Sequence, residues 1–489
     1  MSVIAGLQDS RKEGPPADIG SYQMPCSVMV FKYAFSGVTY VCAVRSGDRR
    51  WILVSYGLDA AAATVVQAAC TATNAIGGGE VFARTGLYTM SGLTPVVGNI
   101  KTTVLVPANV YIIGESRTGT IFKLADNNAA NIFASWSVNH VGYMNMTLDG
   151  NRAGNADGGV DGNQGCIYDG DDNYTVIDNI RALSAVRTGI FVASGTWKTL
   201  RNLWAQDCGD IGVALDAPIR SSMENIYAYA NNKIHNNSGI FLNSLTACAA
   251  RNLWGIGNYV GVKVGGGNNS YTTQIGLDVE SIHTVGNTTN GIEIGGVPNQ
   301  EVIGSHFGLL SSELDGRNGI YIVGLKDSII DIIRIKNCGQ AAHDDAVATY
   351  SMYNCKIGYL YCLDDQGTHT TNWAWDDLHA ATVSGNVIED GQLGEGTFLS
   401  GKFASYDPTK VKALRIAGFV TENKGTSTGT GAQQDIAHGL AVIPTYNQVF
   451  FSERSTGGAI PYQSAAPDAT NIHPTATLNK TYNWYATAN

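Results

Sequence analysis

Gly189-Ile190-Phe191-Val192, Gly212-Val213-Ala214-Leu215, Gly239-Ile240-Phe241-Leu242, Gly261-Val262-Lys263-Val264, Gly291-Ile292-Glu293-Ile294, Gly319-Ile320-Tyr321-Ile322 and Ala346-Val347-Ala348-Thr349 decide the fold. Their starts lie 23, 27, 22, 30, 28 and 27 residues apart. A unit of that length cannot bury its own apolar side, and stacking such units closes a continuous core. Counting from the small first residue, the next and third-next side chains point inward, and the second and fourth point outward. The inward column is Ile190, Val213, Ile240, Val262, Ile292, Ile320 and Val347. All are β-branched, as stacked strands of an interior require. The repeat predicts an all-β solenoid of parallel strands, and it says which side chains share the outside.

The outward residues form the candidate binding face. One column is Phe191, Ala214, Phe241, Lys263, Glu293, Tyr321 and Ala348, and the next is Ala193, Asp216, Asn243, Gly265, Gly295, Val323 and Tyr350. Two residues before each start stand Arg187, Asp210, Asn237, Tyr259, Thr289, Arg317 and Asp344. Aromatic rings offer apolar surface to sugars, while carboxylates, amides and bases meet hydroxyls and charged groups. The mixture suits a long polysaccharide groove; a subunit interface and a plain solvated face are the alternatives. Glycan contacts are expected along Phe191, Asp216, Phe241, Asn243, Lys263, Glu293 and Tyr321.

Composition narrows the partner. The chain has 489 residues, 58 of them Gly, with 15% charged and 44% hydrophobic residues. That fits short strands and tight turns and argues against disorder. A net charge of −10 argues against nucleic acid as a partner. An acidic polymer would need a local basic patch or a cation. Nine Cys occur without a C-x-x-C pair, which reads as buried thiols. No basic-then-apolar leader opens the chain as given, and no long apolar run predicts insertion into a membrane. An extracellular or virion-associated location is expected.

Residues 1–57 carry three predicted strands, Val28–Tyr33, Tyr40–Val44 and Trp51–Val54, which read as a small β-hairpin element. Residues 59–74 read as a helix capped by Asp59 and stopped by Gly77-Gly78-Gly79. Strands at Glu80–Phe82, Gly86–Thr89, Thr102–Val106 and Val110–Gly114 follow. The run from this helix through Gly-Gly-Gly-Glu-Val-Phe, Thr-Gly-Leu-Tyr-Thr-Met and Val-Pro-Ala-Asn-Val-Tyr-Ile-Ile-Gly-Glu resembles the opening of the pectate-lyase-like right-handed β-helix superfamily. Thr147-Leu148-Asp149-Gly150-Asn151-Arg152 is similar to the same superfamily, especially its phage tailspike members. The resemblance implies a right-handed parallel β-helix over 58–395, whose first coil the helix caps. Residues 396–425 read as an exit strand and linker, with a strand at Ala413–Thr421. Gly425–Gly431 reads as a flexible polar loop. Residues 426–489 read as a small β-sandwich whose Gly-Ala-Gln-Gln-x-Ile-x-His-Gly-Leu run resembles terminal domains of viral tail proteins. The resemblance implies trimerisation or glycan binding there, and a homotrimer is expected.

Three clusters could carry chemistry. The first is Asp207, Asp210 and Asp216, with Lys233 and His235 one coil later. Asp210, Asp216 and His235 are the expected catalytic residues. Two carboxyls can hydrolyse a glycosidic bond, whereas Lys or His can remove a proton beside a uronate carboxylate, giving elimination or epimerisation. Tyr227-Ala228-Tyr229-Ala230-Asn231-Asn232-Lys233 resembles a stretch of alginate epimerases, without their Tyr-Gly-Phe-Asp-Pro-His signature and with Lys233 where they use Arg. The second cluster, His343, Asp344 and Asp345 followed by Asp364 and Asp365, resembles in part the Asp-Asp strand of polygalacturonases. It could hold Ca²⁺ through oxygen ligands or simply cap turns. No cofactor is required by this reading. The third, Asp149, Asp157, Asp161, Asp169, Asp171 and Asp172, reads as a loop protruding over the groove.

The function that follows is polysaccharide binding with degradation, by a glycoside hydrolase or uronan lyase. The alternatives are a non-catalytic glycan-binding adhesin or fibre, and a uronan C5-epimerase.

Overall fold

The computed structural model describes residues 27–47, 50–157, 164–265, 274–296, 300–340, 344–377, 383–394, 398–399, 401–404, 410–417, 421–440, 443–455 and 459–488. It is a right-handed parallel β-helix with one capping helix. Most central coils supply a short strand, a two-residue strand and an eight-residue strand, as in Ile190–Val192, Gly195–Thr196 and Thr199–Gln206. Short strands from Lys101–Leu105 to Gly401–Phe403 stack in register as one sheet, the short-strand sheet. The eight-residue strands stack as another, the long-strand sheet.

The expected inward column is wholly buried: Ile190, Val213, Ile240, Val262, Ile292, Ile320 and Val347 are all 0% exposed. Val192, Leu215, Leu242, Val264, Ile294 and Ile322 form the second inward column and are equally buried. The eight described cysteines are free and buried, Cys70 in the capping helix and the others in strands and turns.

Two ladders of amides hold the coils in register. Asn179, Asn202, Asn225 and Asn252 sit in the left-handed region, at φ of 54, 56, 55 and 52°, where the pairing of the long strands is interrupted. Asn225 donates to Asn202 at 3.1 Å and Asn252 to Asn225 at 2.8 Å. Asn tolerates that conformation better than most residues. Inside the turn that leads from long to short strand, Asn231, Asn258 and Asn287 form a buried ladder that ends on Asp315. Each Oδ1 accepts a backbone N–H of the coil before it, at 2.8–3.0 Å, where the chain turns out of the sheet. Burial raises the Asp315 carboxyl to about 6.

The cap departs from expectation in one detail. Helix Ala62–Ala75 follows a 3-10 turn at Asp59–Ala61, and the Asp59 side chain makes no cap bond. It pairs instead with Lys32 at 2.7 Å. Gly77, Gly78 and Gly79 all take positive φ and end the helix. The three N-terminal strands, Val28–Phe35, Val38–Gly47 and Arg50–Leu58, form an antiparallel meander. Val28–Val30 pairs parallel with Val81–Ala83, so this element continues the sheet of the first coil.

Beyond the coils, two three-stranded antiparallel arrangements form a separate core around Leu440, Ile472, Tyr482, Trp484 and Ala486. The segment expected as a flexible loop after Gly425 is largely a strand, Glu422–Thr428, paired along its length with Thr481–Thr487. Its Gly, Ser and Thr look like loop residues in sequence, but alternate Thr side chains simply face out.

Candidate functional site

The outward columns of the short-strand sheet lie where the repeat places them. Register runs Tyr168, Phe191, Ala214, Phe241, Lys263, Glu293, Tyr321, Ala348 and Asp376. At about 4.8 Å per coil this row is roughly 38 Å long. Two aromatic residues ahead of Phe191 belong to the face and were not read from the repeat. Trp136 stacks on Tyr168 at 6.2 Å, and Tyr168 stacks on Phe191 at 5.3 Å. Gly170 permits this, since a Cβ there would lie 2.3 Å from the Trp136 ring. The coil of Tyr168 escapes the pattern because Cys166, not Gly, precedes its strand.

Three neighbourhoods lie along the face. The first is at the edge where turns enter the short strands. Arg187 Nε donates to Asp157 Oδ1 at 2.8 Å, and His235 Nε2 meets Asp157 Oδ2 at 2.9 Å. Asp157 belongs to the loop before strand Ile167–Gly170, three coils ahead of His235. Of the loop expected over the groove, Asp157 is the described residue that reaches these side chains, and 158–163 lie outside the described residues. The turn carrying His235 folds back, with Ile234 and His235 N–H donating to the Gly209 carbonyl at 2.8 and 2.9 Å. Asp210 is next to this contact, its N–H donating to the Arg187 carbonyl at 3.2 Å. An imidazole, an orienting carboxylate and a guanidinium are thereby joined.

The second neighbourhood is central. Asp216 ends the strand Val213–Asp216 and accepts from Asn243 Nδ2 at 2.8 Å. Burial raises its carboxyl above the ordinary value, against the Asn243 bond. The strand, about 10 Å long, separates Asp216 from Asp210. The expected catalytic trio is therefore split: His235 and Asp210 sit at one end of the strand and Asp216 at the other. Lys263 and Glu293 pair at 2.7 Å, both half-buried. Ala214 is 0% exposed between Phe191 and Phe241, so this part of the face is apolar and closed over.

The third neighbourhood holds Tyr321 and the second cluster. Burial raises the Tyr321 hydroxyl, helped by Glu293 and Tyr350 and opposed by Arg317. Arg317 Nε donates to Asp344 Oδ2 at 2.5 Å. Asp345 accepts from the Trp373 N–H at 3.1 Å. Burial, then the charge of Asp376, raises Asp345 to about 7. Asp376 has no Gly ahead of its strand, which hid it from the repeat. Asp364 is buried and accepts the N–H of Thr370 and Thr371 at 2.7 and 2.9 Å. Asp365 pairs with Lys336 at 3.1 Å. The four Asp of this cluster do not converge: Asp364 caps a turn, and His343 lies outside the described residues.

The third acidic cluster disperses too, except that Asp169 and Asp172 stay neighbours inside the solenoid. Asp149 pairs with Lys123, Asp157 joins Arg187 and His235, and Asp171 meets Ser194. Asp169 points into the solenoid and pairs with Lys198 at 3.0 Å, both side chains 0% exposed. Asp161 lies outside the described residues. Among the described residues no three His, Cys, Asp or Glu side chains gather as a metal-holding group, and no helix is long and apolar enough to cross a membrane.

No family model matches the chain. Over 178 residues, 34% of this chain, it is 32% identical to mannuronan C5-epimerase AlgE5 of Azotobacter vinelandii, covering 18% of that protein. Alginate lyase 7 of the same organism is 29% identical over 178 residues, covering 20% of its length. The match thus spans no more than a fifth of either relative. Among solved structures, the A-module of mannuronan C-5 epimerase AlgE4 from A. vinelandii superposes with a TM-score of 0.59 at 19% identity. That superposition covers 72% of this chain and 95% of the module. Coil, cap and strand order together make the solenoid a right-handed parallel β-helix, the fold it shares with that module.

Proposed function

We propose that the chain acts on an acidic polysaccharide of the uronan class by removing the proton beside the uronate carboxylate. The observation that carries this reading is the joined Arg187, Asp157 and His235 at the edge of the short-strand sheet. A neutral imidazole takes the C5 proton, Asp157 fixes the ring, and Arg187 offsets carboxylate charge as electrons move onto it. Return of a proton from the opposite face inverts C5. Loss of the glycosidic oxygen from C4 instead cleaves the chain and leaves a C4–C5 double bond, the oxygen leaving with a proton. The relatives matched over a third of the chain are named for these two outcomes on mannuronan and alginate. Lys263 and Tyr321 serve as sugar contacts farther along the groove.

The test is polymannuronate incubated with the protein, followed by ultraviolet absorbance for unsaturated ends and proton NMR for C5 inversion. His235→Ala is expected to cut turnover by about 10²–10⁴-fold. Activity equal to wild type in that variant places the base elsewhere.

Hydrolysis is the second reading, favoured by the acid held at Asp345 beside Asp376. New reducing ends without unsaturation would select it, and binding without either product would select an adhesin. A homotrimer, in an extracellular or virion-borne setting, belongs to the proposal. It is supported by the exposed Ile329, Ile332 and Tyr359 on the long-strand sheet.

A further inference from the structure

We infer that the outward face of the C-terminal three-stranded sheet is a second, non-catalytic binding site for an acidic glycan chain, and its ligand class rests on the function proposed above. The sheet is Glu422–Thr428, Thr481–Thr487 and Val449–Glu453, with Thr481–Thr487 in the middle. Tyr482, Trp484 and Ala486 point into the small core and are buried. Alternation turns Asn483 and Tyr485 outward.

Register then assembles two rows on the open side. One is Lys424, Tyr485 and Phe450, and the other is Thr426, Asn483 and Ser452. The Phe450 and Tyr485 rings lie 6.1 Å apart, tilted by 32°, and Phe450 is 54% exposed. Thr426 Oγ1 donates to Asn483 Oδ1 at 3.1 Å, and Asn483 Nδ2 donates to Ser452 Oγ at 3.4 Å. Arg454 reaches Thr426 from the end of the outer strand at 3.5 Å. Glu422, at one end of the face, bonds the Tyr485 side chain.

Between these rows is a depression of about 470 Å³, within the size range of small-ligand sites. Gly425 forms part of its floor. On its inner side it pairs with Trp484, where a Cβ would lie 2.7 Å from the indole, so Gly lets the strand close over that buried ring.

The composition favours a glycan over a second copy of the chain. Two rings and a row of hydroxyl and amide groups match the apolar faces and hydroxyls of a sugar. Lys424 and Arg454 suit carboxylates on the ligand. Lys424 and Arg454 beside the two rings leave the patch without the charge-depleted apolar core of a stable interface between copies.

The experiment is titration of the full-length chain with polymannuronate, for wild type, Phe450→Ala with Tyr485→Ala, and Lys424→Gln. Light scattering and thermal melting are recorded for each. The ring variant is expected to bind about tenfold more weakly with unchanged assembly. Lys424→Gln, which leaves the sheet packing intact, is expected to bind more weakly at low salt only. Unaltered binding in folded variants overturns the site. A changed oligomeric state with unaltered binding overturns it in favour of a contact between copies. If wild type neither binds nor alters polymannuronate, the proposed function fails first. Wild type and variants are then compared on neutral and acidic polysaccharides, where equal binding, or none, overturns the site as well.

Discussion

Buried charge carries the sharpest consequences at the scale of single residues. Asp169 and Lys198 are sealed inside the solenoid, and Asp172 accepts the Val138 N–H at 2.8 Å beside them. Burial, then the neighbouring Asp169, raises Asp172 from its ordinary 3.8 to about 8. The folded chain therefore holds a proton on Asp172 in that window where the unfolded chain has released it. The native state binds more protons, so this contribution to stability is full below 3.8, falls as pH rises, and is lost above about 8. Urea denaturation across pH should show a steeper fall for wild type than for Asp172→Asn; parallel curves would contradict this. Lys198→Met should cost about 3–5 kcal/mol, because it strands the Asp169 carboxylate. The inward columns and outward Phe191, Phe241, Lys263, Glu293 and Tyr321 were legible from alternation alone. Asp157 on His235 was not, since 78 residues separate them. Neither was the split of Asp210 from Asp216, which depends on where the strand begins and ends.

Strands and turns obey a different economy, in which one side chain serves two coils. Asn258 is the middle rung of the buried amide ladder. Its Oδ1 accepts the Asn231 N–H at 3.0 Å and its Nδ2 donates to the Ala228 carbonyl at 3.0 Å. Asn258→Ala orphans both backbone groups and should cost about 2–6 kcal/mol, at roughly 1–3 kcal/mol each. The half-buried rung Asn252 of the other ladder, replaced by Gly to keep its left-handed backbone, should cost under about 1 kcal/mol. Equal losses in chemical denaturation would show that the buried ladder has no special weight. Small residues at strand starts made the short-strand sheet visible in sequence. The long-strand sheet has no such marker, so its stacked Trp204, Tyr227, Trp254 and His283, with centroids 5.6, 6.2 and 4.4 Å apart, went unread. The strand at Glu422–Thr428 was masked by loop-like composition, because its partner is some sixty residues away in the chain.

The whole molecule presents two long faces with different characters. On the long-strand sheet Ile329, Ile332 and Tyr359 are 46%, 42% and 36% exposed. A trimer would cover them, and Ile332→Asp with Tyr359→Asp should convert a trimer to monomer by light scattering, without loss of the melting transition. A monomeric wild type would remove this part of the account. The short-strand sheet is the proposed groove: its cations Lys263 and Arg317 each hold an acidic neighbour that an incoming carboxylate can replace, while Asp157 keeps Arg187 beside His235. On a chain of net charge −10, such local cations are what let an acidic polymer approach. The most direct test is a crystal structure of the chain with a mannuronate oligosaccharide. Sugar rings lying along Phe191, Phe241, Lys263 and Tyr321, with one uronate carboxylate at Arg187 and its C5 facing His235, are the result expected. An oligosaccharide bound to the long-strand sheet instead, leaving this row empty, would contradict the assignment of the groove.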